Sequence, residues 1–190
     1  AKAVNFGMLY GATSAKAMAK RINGNEQTIA SIFNTFWSSY PMLKQWQDRQ
    51  KDVVSRYKRN VDSLGLIRDY RLSSEYGYKG KELKEAVNTP IQALSAYITQ
   101  ELMNYIRSRL AGYRAIPFVQ IHDAIYIDVP SDEIEHVVAV CKDAFAHLND
   151  VDWLNSLPGY SLVNIEGELT VGESMKDDGD DVVMLSNSST

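Results

Sequence analysis

The sequence predicts an α+β fold. Apolar residues recur at helical spacing through residues 25–58 and 82–111, and two β-branched apolar runs flank a lone His-Asp pair at 117–130. A turn-rich stretch at 60–80 separates the helical runs. The order helix, helix, helix, hairpin, helix, strand segregates helices from strands, as α+β folds do. The chain has 190 residues, 45% of them hydrophobic. That suffices to bury a sizeable core, as one large domain or one domain with an attached subdomain.

Residues 1–22 read as helix with interruptions. Gly7 and Gly11 each cost about 1 kcal/mol against Ala inside a helix, so close approach of a neighbour or ligand is expected there. Residues 25–39 and 41–58 read as two helices hinged at Pro41, which lacks the amide that a helix interior needs. Ile29, Ile32, Phe33, Phe36 and Trp37 form a stripe suited to a core. A short hairpin is expected within 60–80. Residues 82–111 read as one long helix. Its Leu83, Val87, Ile91, Leu94, Ile98, Leu102 and Tyr105 fall within about 100° of arc, and Pro90 bends it or marks its first turn. Then "PFVQIHDAIYIDVP" reads as two strands around His122 and Asp123. Ser131 and Asp132 can cap the next helix, with Asp132 and Glu135 in a capping-box relation. The stripe of that helix is Ile134, Val137, Val138, Cys141, Phe145 and Leu148. Residues 161–173 read as one or two closing strands, and the tail "DDGDDVVMLSNSST" as polar and mobile. There is no internal repeat.

Charge is unevenly spread. Residues 1–115 hold 18 Lys/Arg against 9 Asp/Glu, and residues 116–190 hold 2 against 15. The first part, at net +9, suits a polyanion. The second, at net −13, repels one unless cations intervene. Cys141 is the single cysteine, so no intrachain disulfide forms and a reducing compartment is expected. No apolar run approaches the ~18–20 residues that span a bilayer, and no signal peptide is visible. The chain opens at Ala1 on a helix-like pattern without Met or lead-in, so upstream polypeptide is expected to have been removed or to be supplied separately.

Three stretches can carry chemistry. Asp123, raised between rigid apolar strands, suits a divalent cation, although a hairpin-tip aspartate also serves as a simple Asx-turn residue. One carboxylate makes a poor Mg²⁺ site, and Asp128 is too far along the strand to share an ion. In "AKAVNFGMLYG", Lys2, Phe6 and Tyr10 are four apart and lie within about 80° of a helix surface. That face can take a triphosphate, a sugar and a base, or the two rings can belong to a core. In "KEAVNTPIQ", Lys84, Asn88 and Gln92 repeat the spacing beside the apolar stripe. Their amides suit the minor-groove acceptors that every base pair offers. A merely solvated face has the same pattern.

Together these stretches resemble the family A (polymerase I-like) DNA polymerases. "KAVNFGMLYG" is similar to the family's fingers motif of Lys, three residues, Phe or Tyr, three residues, Tyr-Gly. "NTPIQ" resembles its Asn-x-Pro-x-Gln helix element, and "QIHDAIYIDV" its palm motif His-Asp-Glu between apolar strands. The resemblance runs in order from Ala1 to about Ser174. It implies the C-terminal part of a polymerase right hand, with helical fingers at 1–58, the second half of an antiparallel palm at 59–175, and an acidic flexible tail at 176–190. It also implies template-directed addition of dNTPs to a primer 3′-hydroxyl with two Mg²⁺ ions, in the cytoplasm of a bacterial or phage-infected cell.

Carried over by residue, the resemblance gives Lys2 the incoming triphosphate and the proton for the leaving pyrophosphate. Phe6 stacks on the nucleotide sugar, where Phe in place of Tyr goes with rejection of dideoxynucleotides. Tyr10 packs beside the templating position. Asn88, Gln92, His122 and Lys84 meet the primer-template, Arg68 touches the DNA backbone, and Asp123 is one of two metal-binding aspartates. Several departures stand out. The Arg four residues before the family's Lys is absent. Ala124 replaces the usual Glu, and Lys84 an Arg, keeping charge but losing the bidentate fork. Gly172-Glu173-Ser174-Met175 lacks the family's closing Trp. The other metal aspartate and the thumb lie upstream in the family, so an upstream fragment or chain is the expected partner. The alternative is a non-catalytic nucleic-acid-binding or assembly subunit that keeps the fold.

Overall fold

A computed structural model describes residues 2–12, 14–71, 81–174 and 181–186, without the side chains of Lys2, Ala3, Lys81 and residues 181–186. Met175, part of the Trp-less closing element, lies outside the described residues. The described chain is mostly helical, with three two-stranded antiparallel sheets. It divides into two compact units, Ala1–Leu94 and Ser95–Thr190.

The first unit begins with α1 (Lys2–Leu9), α2 (Ala15–Ile22), α3 (Glu26–Ser39) and α4 (Pro41–Tyr57). Pro41 opens α4 at its first position, where a missing amide costs nothing. Val4 and Met8 of α1 join Met18, Ala19, Ile29 and Phe33 in a buried cluster, with Phe36 and Trp37 packed against it. Ile32 of the expected stripe is exposed instead. Gly7 leaves room for the Met18 side chain of α2, since a Cβ there would sit 2.0 Å from Met18 Cε. Gly11 supplies the positive φ (81°) that follows the helix end. A Cβ on it would lie 3.8 Å from the Lys84 backbone and from Val87.

Gln47 of α4 is 1% exposed and donates through Nε2 to the carbonyls of Met8 and Leu9, 3.0 Å each. Those oxygens belong to the last turn of α1, where Leu9 O lacks a helical donor and Met8 O has only the Gly11 amide at 3.1 Å. The buried amide therefore fixes where α1 ends.

After α4 the chain turns through Lys58 into a hairpin of β1 (Arg59–Val61) and β2 (Ile67–Asp69). Asp62 Oδ1 closes its turn by accepting from the amides of Leu64 (3.0 Å) and Leu66 (2.9 Å). Next is α5 (Lys81–Arg109), with Pro90 inside it rather than in its first turn. Val54, Tyr70 and Ala86 form a second cluster that ties α4, the end of the hairpin and α5 together. Ile91, expected on the buried stripe, is 46% exposed.

The second unit packs α6 (Ile134–His147) and α7 (Asp152–Asn155) with the C-terminal half of α5. Leu102, Ile106, Val137, Val140, Cys141, Ala144, Leu148 and Leu154 are buried there. Burial pushes the Cys141 thiol up to about 11, so it stays protonated and unreactive. At its edge, His147 stacks on Tyr105 (4.3 Å between centroids) with Nε2 3.4 Å from Glu101. Strands β3 (Ile116–Ile121) and β4 (Ala124–Asp128) pair with a bulge at Phe118. In a third sheet β5 (Glu166–Val171) pairs with β6 (Asp181–Ser186). Residues 181–186 were expected in the mobile tail and are instead a strand. Gly167 lets β5 reach α6, because a Cβ there would lie 2.6 Å from Phe145 Cζ.

The expected capping box is not made. Ser131–Glu133 form a 3₁₀ turn, and no side chain caps it or α6. Asp132 and Glu133 bind Arg114 instead, and Glu133 also accepts from the Ala115 amide at 2.9 Å. The acidic pair thus clasps the start of β3.

These contacts can be tested by substitution. Gln47→Leu leaves the Leu9 carbonyl without a donor and removes one of two from Met8 O, and should cost about 1–3 kcal/mol by chemical denaturation. The Arg114 hydrogen bond holds the Asp132 carboxyl below its usual range. Its stabilisation is therefore present above the ordinary aspartate pKa and is lost as pH falls through the lowered one. Arg114→Met should flatten that acid limb of the melting-temperature profile.

Candidate active site

The sequence-predicted residues fall on three surfaces, two in the first unit and one in the second. On α1, Val4 and Met8 face the core. Phe6 and Tyr10 point the other way, 43% and 46% exposed. Their rings lie near parallel, 15° apart in plane and 6.0 Å between centroids. They are not core aromatics. Lys2 stands one step of four earlier on the same helix, and its side chain lies outside the described residues.

On α5, Lys84 and Gln92 are exposed and Asn88 is half-buried. Asn88 Oδ1 is buried without a hydrogen-bond partner among the described residues. A buried acceptor left open in this way calls for an explanation, such as a donor supplied by a ligand. Because Gly11 abuts the Lys84–Val87 turn, the end of the α1 surface lies against the start of this one. Arg68 is already engaged: its guanidinium is 3.2 Å from Glu85 Oε2 and 5.7 Å from the Tyr70 ring centroid.

In the second unit, His122 and Asp123 are the two residues between paired Ile121 and Ala124. His122 has φ +57°. Glycine is the usual residue at such a position, and a non-glycine there carries strain of about 1–3 kcal/mol. The Gln120 amide braces the turn, donating to the His122 carbonyl at 3.0 Å. Asp123 is exposed at the tip, and Ala124 beside it opens β4.

The donor set around Asp123 was tested against magnesium. Among the described residues no group of three or more His, Cys, Asp or Glu gathers at one point. Mg²⁺ on phosphate substrates is commonly held by one or two carboxylates plus water and phosphate oxygens. An exposed carboxylate on a braced turn fits as one such ligand.

Sequence reasoning missed Gln47, Asn60 and Tyr70, buried groups that support these surfaces. One signal was available. A proline inside a helix leaves the carbonyl four residues earlier without a donor, so Pro90 implied a partner for Ala86 without naming it.

The decisive comparison is with sequence families: the model of DNA polymerase family A matches residues 1–177. The chain belongs to DNA polymerase family A. It is similar to DNA polymerase I of Geobacillus stearothermophilus, 30% identical over 144 residues that cover 72% of this chain and 16% of that protein. It is also similar to the thermostable DNA polymerase I of Thermus filiformis, 26% identical over 162 residues, 80% of this chain and 18% of that one. A solved structure it resembles is the POL domain of Pol1 from M. smegmatis in complex with DNA primer-template and dNTP. There the TM-score is 0.64 at 19% identity, covering 83% of this chain and 27% of that chain. That likeness supports the α+β polymerase fold. The chain therefore spans less than a fifth of the length of these curated family A relatives. Among the described residues, no helix is long and apolar enough to cross a membrane.

His122→Gly should leave folding stability unchanged or raise it by up to about 1 kcal/mol, since glycine adopts positive φ freely but loses more chain entropy on folding. Thermal melting checks this.

Proposed function

We propose that this chain forms the fingers (residues 1–58) and the second half of the palm (59–175) of a DNA-directed DNA polymerase. The observation that carries the reading is Asp123, exposed at the tip of a braced two-residue turn beside a strained His122. The reaction is attack of a primer 3′-hydroxyl on the α-phosphorus of a dNTP, with pyrophosphate leaving. The relatives are far longer than this chain. The second metal carboxylate and the thumb are accordingly assigned to polypeptide outside these residues.

Each surface then has a task. The Lys2 ammonium neutralises the triphosphate and gives a proton to the leaving pyrophosphate. Phe6 lies against the nucleotide sugar, a contact that disfavours dideoxynucleotides, and Tyr10 packs beside the templating base. Asn88 and Gln92 contact the minor-groove edge near the primer terminus. The buried, unpartnered Asn88 Oδ1 is suited to the guanine amino group, the one donor that groove offers. Lys84 and His122 contact the primer-template backbone. Arg68 has a share in that contact, through the part of its guanidinium that Glu85 leaves exposed. Asp123 is a magnesium ligand, and bound magnesium supplies Lewis acidity at the attacking and leaving oxygens. Ala124 provides no second carboxylate at the tip.

The test is Asp123→Asn in the complete polymerase, read by primer extension and by primer-template affinity. Extension should fall at least about a thousandfold, near 4 kcal/mol of barrier, with affinity within about threefold. If extension stays within tenfold of wild type while DNA binding persists, the non-catalytic assembly reading, which Ala124 favours, replaces this one.

A further inference from the structure

We propose that Asn60 is a positioning residue for the primer-template surface of α5, standing in for the backbone amide that Pro90 lacks. The inference rests on the proposed function, in which Asn88 and Gln92 meet the primer-template.

Pro90 sits in the interior of α5. It cannot donate to the carbonyl of Ala86, and its ring presses on that carbonyl. Ala86 is fully buried, so water does not replace the lost donor. Asn60, from β1 and 3% exposed, donates through Nδ2 to Ala86 O at 3.2 Å. Its other end is also held. The Tyr70 hydroxyl lies 3.4 Å from Asn60 Oδ1 and 3.2 Å from Thr89 Oγ1. Tyr70 is 1% exposed.

The protons can be assigned without conflict. Thr89 donates to the Tyr70 oxygen, Tyr70 to Asn60 Oδ1, and Asn60 to Ala86 O. The chain of bonds starts on Thr89, just before the proline, and ends on Ala86, one turn back on the same helix. It spans the Pro90 turn with each donor matched to one acceptor. Lys84 and Asn88 precede Pro90 and Gln92 comes after it, so the path of the helix through the Pro90 turn sets the direction of Gln92 relative to the other two. If Ala86 O lost its donor, the helix would open at this turn to find another. The three side chains would then no longer lie along one line. Asn60 itself is buried, so it acts through α5 rather than by touching DNA.

A double-mutant cycle in the complete polymerase tests this, with primer-template Kd from fluorescence anisotropy and kcat from extension. Asn60→Leu should weaken Kd about tenfold, the equivalent of one buried hydrogen bond, with kcat within about twofold. Pro90→Ala restores an amide at position 90, so in that background Asn60→Leu should weaken Kd by less than about threefold. A merely structural asparagine would lower the melting temperature in both backgrounds and leave Kd unmoved. The proposal is overturned if Asn60→Leu leaves Kd unchanged, or weakens it equally with and without Pro90. Should Asn60→Leu not fold, Tyr70→Phe removes the hydroxyl that holds Asn60, and the same dependence on Pro90 is expected with a smaller loss. Anisotropy reads the coupling without catalysis, so a failed Asp123 test leaves this result separately readable.

Discussion

The first unit is organised around carbonyl oxygens that its helices cannot satisfy themselves. The last turn of α1 leaves Leu9 O without a helical donor and Met8 O with only the Gly11 amide, and Pro90 leaves Ala86 without its helical donor. In a buried setting each unpaired oxygen costs about 1–3 kcal/mol. Both needs are met by a side-chain amide from a distant element, Gln47 from α4 and Asn60 from β1. A hydrophobic cluster tolerates small slides of one helix past another, whereas a hydrogen bond to a particular carbonyl does not. These two amides therefore give α1 and α5 their registers. With Val4 and Met8 fixed inward, the other face of α1 has to carry Phe6 and Tyr10 outward.

Much of this was legible in the sequence where a local rule had no competitor. Pro41 could open a helix but not continue one, and α3 and α4 meet there. The β-branched runs around His122 and Asp123 could only be strands with a tight turn. The failures each trace to a distant partner or to the proline inside a helix. The stripe through Leu83, Val87 and Ile91 assumed regular packing along the whole helix. With Pro90 inside α5, Ile91 comes out exposed while Ile106, outside the expected arc, is buried. Asp132 had the right spacing for a capping box, yet Arg114 outcompetes the backbone amides for it. The strand at Asp181–Ser186 was hidden by the Asp and Ser residues that flank a short apolar run, and its ladder with β5 is a non-local fact. Gln47 and Asn60 were illegible because a buried amide declares itself only through its partner.

The His122 turn differs in kind, because there the sequence breaks a local rule and the structure does not relieve it. A turn needed only to reverse the chain would place glycine at the positive-φ position. Here an imidazole occupies it, with φ +57° and the neighbouring Gln120 amide holding the carbonyl. Strain kept in place by its surroundings is characteristic of sites where a side chain must be held in one direction. The Asp123 carboxylate, the proposed magnesium ligand, is exposed at the tip of the same turn.

The uneven charge gives this carboxylate its physical meaning. Residues 1–115, at net +9, supply what a polyanion needs and include every proposed nucleotide or DNA contact except His122. Asp123 lies in the stretch at net −13, where phosphate would be repelled. A carboxylate in such a stretch can serve phosphate chemistry only if a cation stands between the two negative groups. In the proposed function magnesium would meet that requirement, with Asp123 as one of its ligands. With alanine at position 124, the tip brings one negative charge to that arrangement where a Glu would bring two.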